Sequence, residues 1–382
     1  MTRRLFLVSV LVVFVGAGMA PQTGVQRGPT AKTLPSRLSD QDFWRLSSEF
    51  SEANGYFRSE NLVSNEHTFQ YVIPALKASL KPGGVYLGVA PDQNFTYIVA
   101  IQPKIAFIVD IRRGNLLEHL MYKALIELST DRADFLSRLF SRKRPAGLGP
   151  ASAVTALFEA YDRVPASEDL YRLNLRAMQD QLVKRHGFSL TEDDLDQLES
   201  IYYNFYWEGP GLRYSSAPMG FSGRGFSGST FPSYEELMMQ TDLKGNFLSY
   251  LAGEEAFRFL KDFQERNLLV PVVGNFAGPK ALRQVGQYIR EHGATVTAFY
   301  VSNVEQYLFQ DGLFDAFARN VVTLPVDENS TFIRSVSNRY GYGGSGMWSD
   351  GRATARDPIK PFVRDFLAGN IRQYSDVNSR SK

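Results

Sequence analysis

Residues 85–116 read VYLGVAPDQNFTYIVAIQPKIAFIVDIRRGNL, and the way this stretch folds decides the architecture. VYLGVA is short, apolar and closed by Pro91 and Asp92, as a strand buried on both faces must be. DQNFTYIVAI, with Asp92 at its start and Pro103 just past its end, predicts a helix of about three turns. IAFIVDI is a second buried strand of β-branched and aromatic residues. GNLLEHLMYKALIELS predicts an amphipathic helix with Leu116, Leu117, Leu120, Met121, Ala124 and Leu125 on one face. Strand, helix, strand, helix at such short intervals means a parallel sheet with right-handed crossovers.

Working outward, LSDQDFWRLSSEF predicts a helix capped by Ser39 or Asp40, and HTFQYVIPALKASL another, which Pro74 either kinks or restarts before KPGG stops it. From about 132 to 262 the pattern is helical, as in ASAVTALFEAYDRV, EDLYRLNLRAMQDQLVKR and LTEDDLDQLESIYYNFYW. A Gly- and Ser-rich stretch at 209–230 follows, either a mobile loop or a lid over a pocket. The alternation then returns: LLVPVVGNF, TVTAFYVSN, NVVTLPV and STFIRSVS read as strands, and GPKALRQVGQYIREHG and NVEQYLFQDGLFDAFARN as helical regions. The tail from Arg339 is loop-like until a last helix at IKPFVRDFLAGNIRQY. The expectation is a Rossmann-like α/β domain over 37–382, with a mostly parallel sheet, flanking helices and a large helical insertion.

The whole chain bounds function only loosely. With 42 basic against 40 acidic residues the net charge is +2, so no positive excess calls for nucleic acid. There is no cysteine, hence no disulfide, thiol nucleophile or lipid-modified Cys. MTRRLFLVSVLVVFVGAGMA, residues 1–20, has a basic start, an apolar run and small residues, which predicts an export signal or N-terminal anchor and a periplasmic or envelope location. A cut after Ala17 and an uncleaved anchor both stay open; in the second case the membrane is met only through this segment. Thr2, Arg3, Arg4, Phe6 and Leu7 also resemble the twin-arginine export pattern. Residues 21–36 read as a linker.

In an open parallel sheet, ligands gather where strands end in loops and helix N-termini. Gly88, Asp92 and Asn94 follow the first strand; Asp110, Arg112 and Asn115 follow the second. Gly274 and Asn275 follow LVPVV, and Ser302 ends TVTAFYVS. This order resembles the class I S-adenosylmethionine-dependent methyltransferase fold over about 100 residues, Gly84 to Asn115 and Asn267 to Ser335. Gly88 matches that family's glycine-bearing turn, and Asp110, twenty-two residues on, its ribose-binding acid. The resemblance places GNFAG where the family's fourth strand meets the reacting groups, and implies S-adenosylmethionine or another adenosine-containing ligand among the nine residues named above. The repeated glycines of the family's first turn are missing, and GNFAG is not one of its usual acceptor-site tetrapeptides. The full chain is also similar to a group of uncharacterised exported bacterial proteins.

Each residue has a plainer role beside the functional one. Gly88 could serve only close helix–strand packing, and Asp92 a helix cap. Asp110 could pair with Arg112 or Arg113, and Asn275 and Ser302 could be turn residues. Glu305 and Tyr307 read as helix cap and core. The histidines at 67, 119, 186 and 292 have no metal-ligand spacing, and no metal is expected. No GxSxG elbow sits between strand and helix, and no GxxxxGK[ST] loop appears. Two readings result: an exported methyltransferase-like protein that binds a small adenosine-containing ligand, or a non-catalytic envelope binding or scaffolding protein with a degenerate pocket.

Overall fold

The computed structural model describes residues 32–214, 231–337 and 352–381. The export segment, most of the linker and residues 215–230 of the Gly/Ser-rich stretch lie outside them. Six strands, β1 (Val85–Gly88), β2 (Ile105–Asp110), β3 (Leu269–Val273), β4 (Val296–Ser302), β5 (Val326–Ser337) and β6 (Arg352–Pro358), form one sheet in the order β3-β2-β1-β4-β5-β6. All neighbours are parallel except β5 and β6. The sheet is thus Rossmann-like and mostly parallel. The chain steps outward from β1 through β2 to β3, then returns to lay β4 on β1's other side. Strand order therefore reverses between β1 and β4.

Helices α1 (Asp40–Phe50), α3 (Gln93–Ile101) and α4 (Arg113–Leu128) lie where the periodicity predicts, whereas α2 (Ile73–Ser79) takes only the second half of HTFQYVIPALKASL, residues 67–72 being turns. Ser39 caps α1 by accepting from the Asp42 N–H, and Pro74 opens α2 instead of kinking it. Between α4 and β3 the insertion supplies α5 (Arg132–Leu139), α6 (Val154–Asp162), α7 (Glu168–Asp180), α8 (Glu192–Glu208), α9 (Tyr234–Met238) and α10 (Glu254–Glu265). Then come α11 (Ala281–Glu291), α12 (Val304–Gln310), α13 (Phe314–Val322), α14 (Ile359–Leu367) and α15 (Tyr374–Arg380). Right-handed crossovers put α3 and α4 on one face of the sheet, with α10 against them, and α11 and α13 on the other, with α1 beside α11.

Four expectations change. LVPVV is the third strand, at the sheet edge against β2, so GNFAG does not meet the fourth strand's position; TVTAFYVS does. Helix α4 is buried on every side from Gly114 to Ile126, because the insertion covers the face that an amphipathic helix would give to water. NVV of NVVTLPV ends α13, and RATARDP, read as loop, is β6 paired with β5. Both changes follow from packing partners distant in sequence, which local propensity does not register.

Candidate functional site

The carboxyl ends of β1 to β4 share one edge of the sheet, and a strap of chain, residues 51–68, runs across all of them. Its path is set by backbone hydrogen bonds: Glu52 N–H donates to Val273 O and Gly55 N–H to Ile111 O, each at 2.8 Å. At its far end Thr68 Oγ1 accepts from Thr354 N–H of β6 at 2.7 Å. The strap brings a carboxylate to three of the strand ends in turn.

At the β3 end, Glu52 accepts from the N–H groups of Asn275, Lys280 and Ala281 at 3.1, 2.8 and 2.9 Å. The loop that carries Gly274 and Asn275 is therefore an anion cradle already holding the protein's own carboxylate. Asn275 Oδ1 closes the turn by accepting from Ala277 N–H. At the β4 end, beside the reversal of strand order, Glu66 is buried and accepts from Tyr300 Oη at 2.8 Å, Ser302 Oγ at 2.6 Å and Gln93 Nε2 at 3.1 Å. Ser302 has φ 51°, the left-handed region, and this conformation places its hydroxyl on Glu66.

At the β1 end, Asn94 folds back over the turn. Its Nδ2 donates to the carbonyls of Val89, Ala90 and Pro91 at 2.8, 3.1 and 2.7 Å, and its Oδ1 accepts from Tyr86 Oη. A Cβ on Gly88 would stand 1.9 Å from Asn94 Oδ1, so the glycine makes room for Asn94. At the β2 end, Asp110 accepts from Arg112 N–H at 2.9 Å, Arg112 Nε at 3.3 Å and Ala90 N–H at 3.3 Å. Gly274 N–H donates to Asp110 O at 2.7 Å. The structure thus brings the ends of β1, β2 and β3 side by side, with Ser302 across β1 from the other two.

Behind this edge lies a buried polar group that joins the candidates Asp92, Arg112 and Asn115 to His119 and to Glu118, which sequence reasoning did not single out. Asp92 stands at the N-cap position of α3 without capping it; its Oδ2 accepts from Tyr250 Oη at 3.3 Å, and burial pushes its carboxyl up to about 7. Glu118 is fully buried, neither of its oxygens has a hydrogen-bond partner among the described residues, and burial pushes its carboxyl well up. His119 Nε2 bonds Ala90 O at 2.9 Å, which fixes the Nε2–H tautomer, and burial pulls the imidazole down to about 4. Arg112 Nη2, Asn115 Nδ2 and His119 Nδ1 are likewise buried without partners among the described residues. Asn115, Glu118 and His119 form one stripe of α4, spaced by three and four residues, with Arg112 at the N-cap position before it. Tyr234 and Tyr250 share a hydrogen bond beyond it.

Beside Arg112 the edge is open. A cleft of about 170 Å³ is lined by residues 54–60, Arg112, Gly114 and Gln197. Arg112 Nη1 donates to Glu60 O, and the Glu60 carboxylate stands 3.9 Å from that nitrogen with its side chain 34% exposed. Asp194 of α8 pairs with Arg113 at 2.5 Å and holds the cleft's far wall, which carries Gln197. Among the described residues no group of acidic and histidine side chains could hold a metal ion, and no helix is long and apolar enough to cross a membrane.

Residues 61–353 match the model of a family described as a domain of unknown function, DUF7790. The chain belongs to that family. No curated protein matches it. The matched span takes in β1 to β5, the helical insertion, Glu66 and the polar stripe of α4, and begins just after the 54–60 wall of the cleft.

Proposed function

We propose that this is an exported, non-catalytic binding or scaffolding protein of the cell envelope, whose Rossmann-like crevice is occupied by its own chain. One observation carries the reading: Glu66 sits at the reversal of strand order, where open α/β sheets take ligands, and is held there by Tyr300, Ser302 and Gln93. Glu52 fills the β3 loop in the same manner, and Asn94 fills the space over Gly88. The export-like residues 1–20 support the envelope location.

A second reading, an S-adenosylmethionine-type ligand, is favoured by a separate observation. The strand order and antiparallel β6, with Asp110 ending β2, are compatible with the layout that such a ligand uses. Asp110 would then exchange Arg112 and Ala90 for ribose hydroxyls. Melting of the purified protein with millimolar S-adenosylmethionine and S-adenosylhomocysteine separates the two. A ligand at 100 times its Kd stabilises the native state by about 2.7 kcal/mol. No shift is expected; a rise that Asp110→Ala abolishes would overturn the first reading in favour of the second.

A further inference from the structure

Helix α8 packs on α4 with one face and turns the other to water. Asp194, Leu198, Ile201, Tyr202 and Phe205 make the buried side. Opposite them Glu192, Asp196, Glu199 and Tyr203 recur at intervals of three and four residues, and Tyr206 and Trp207 continue the same stripe, which is about 22 Å long. Its second half is aromatic and open. Tyr203 is 45% and Trp207 66% exposed, and their rings lie nearly parallel, at 15°, with centroids 6.0 Å apart. Tyr206 packs beside Tyr203 and against Tyr171. An indole left so far in water adds little to the core.

The first half of the stripe is acidic and uncompensated. No Lys or Arg occurs between Arg185 and Arg213, and among the described residues the only ion pair of α8 is that of Asp194 with Arg113, on the buried side. Other surface helices pair their charges one turn apart, as Asp180 does with Lys184, Asp262 with Arg266 and Asp315 with Arg319. On α8 the same spacing sets Glu192 against Asp196, which weakens a helix. The helix dipole favours Glu192 in the first turn but not Glu199 in the middle, whose hydrogen bond from Tyr171 Oη is 3.4 Å long.

We infer that this outer face of α8 is a docking surface for a basic, arginine-bearing segment of another protein. Charge selects the occupant: three carboxylates without a cation call for a positive partner and repel nucleic acid. The rings then favour arginine, whose guanidinium stacks on Tyr and Trp faces. A second copy of this chain does not fit, because a two-fold pairing of the stripe lays its carboxylates either on one another or on electron-rich ring faces. The stripe has the length of about seven extended residues. It lies on the helical insertion, so the inference goes beyond the occupied crevice and does not depend on it.

The test is calorimetric titration of the full chain with hepta-arginine, hepta-lysine and maltoheptaose, the last a neutral sugar able to stack on the same rings. Hepta-arginine should bind, and hepta-lysine about five-fold more weakly. Binding should weaken about ten-fold as the Debye length falls from about 30 Å at 0.01 M salt to about 8 Å at 0.15 M. Trp207→Ala, at an exposed position that leaves the fold intact, should weaken hepta-arginine about five-fold, and so should Asp196→Asn combined with Glu199→Gln. Glu255→Gln, an exposed acid of α10, is the control and should change nothing. No binding of hepta-arginine at 0.01 M salt, equal binding of the two peptides, or binding that Trp207→Ala leaves unchanged would overturn the inference. Tighter binding of maltoheptaose would overturn it too, by making the occupant a glycan. A rise in melting temperature with S-adenosylmethionine would overturn only the crevice reading above.

Discussion

The Ser302 hydroxyl donates a 2.6 Å hydrogen bond to the Glu66 carboxylate at the point where strand order reverses, joining the strap to the middle of the sheet. The bond is one of several on a buried group, so removing the carboxylate strands its donors together. Glu66→Ala should cost about 3 kcal/mol, read as a lower denaturant midpoint at unchanged slope. Glu66→Gln keeps one acceptor and should cost about half as much. A midpoint unmoved by Glu66→Ala would mean that the strap is not pinned here.

Gly88 and Asn94 should behave as one unit. Gly88→Ala forces Asn94 off the carbonyls of residues 89–91 and should cost about 3 kcal/mol, as overpacking and lost hydrogen bonds combine. Asn94→Ala should cost a similar amount alone. In the Asn94→Ala background the glycine substitution should be much cheaper, because the atom it would strike is gone. Additive losses in this double-mutant cycle would refute the close contact and reopen Gly88 as a ligand cradle.

Asp92 makes stability depend on pH in an uncommon direction. Its carboxyl titrates at about 7 when folded, against about 4 in an unfolded chain. As pH rises between these values, the unfolded chain releases the proton and the folded one keeps it, so stability falls from pH 4 to 7 and then levels off. The loss is on the order of 4 kcal/mol. Glu118, also pushed well up by burial, acts with the same sign. His119 opposes them: its folded value is about 4 against about 6.5 unfolded, so its contribution is lost as pH falls through that window. Asp92→Asn keeps an acceptor for Tyr250 and should stabilise the protein at pH 8 while leaving it unchanged at pH 4. Equal stability of the two proteins at pH 8 would show that Asp92 is not held protonated.

How much of this was legible in the sequence divides by the range of the interaction. Buried strands at VYLG and IAFIVD and the Ser39 cap are written in consecutive residues, and they stand where the local pattern puts them. The place of LVPVV in the sheet depends on pairing with residues some 160 positions away, and the resemblance put it in the wrong slot. Pro271 carried a usable signal, since a proline without an N–H belongs on an edge strand, and β3 is at the edge. The strap was not legible: SEANGYFRSENLVSNEHTF has neither period, and Glu52, Glu60 and Glu66 acquire roles only by meeting the strand ends. Glu118 and His119 were hidden for a related reason. Neither belongs to the apolar face that helical spacing picks out, so His119 could face solvent or the sheet, and the insertion buries both.

Arg334 of β5 completes this edge from the other side. Its guanidinium donates to Glu305 of α12 at 2.5 and 3.1 Å and to Asp357 of β6 at 2.6 Å, and it lies over the ring of Phe332 at 4.2 Å. Glu305, read from sequence as a helix cap, is instead one arm of a buried ion triad, and it anchors the helix that starts two residues after Ser302. Arg334→Ala leaves buried Glu305 unpaired and Asp357 with only Arg380, 3.3 Å away, and should cost about 3–5 kcal/mol. Arg334→Lys replaces a planar fork by a point charge that cannot face both acids, and should recover only part of that loss. Because all three side chains are at most 3% exposed, the cost of Arg334→Ala should be the same at low and high salt. The exposed pair of Arg172 and Glu168, both 64% exposed, supplies the control: it should contribute little at low salt and nothing at high salt. A cost at Arg334 that shrinks with added salt would mean that water and ions reach the triad, and that α12 is not anchored as the geometry requires.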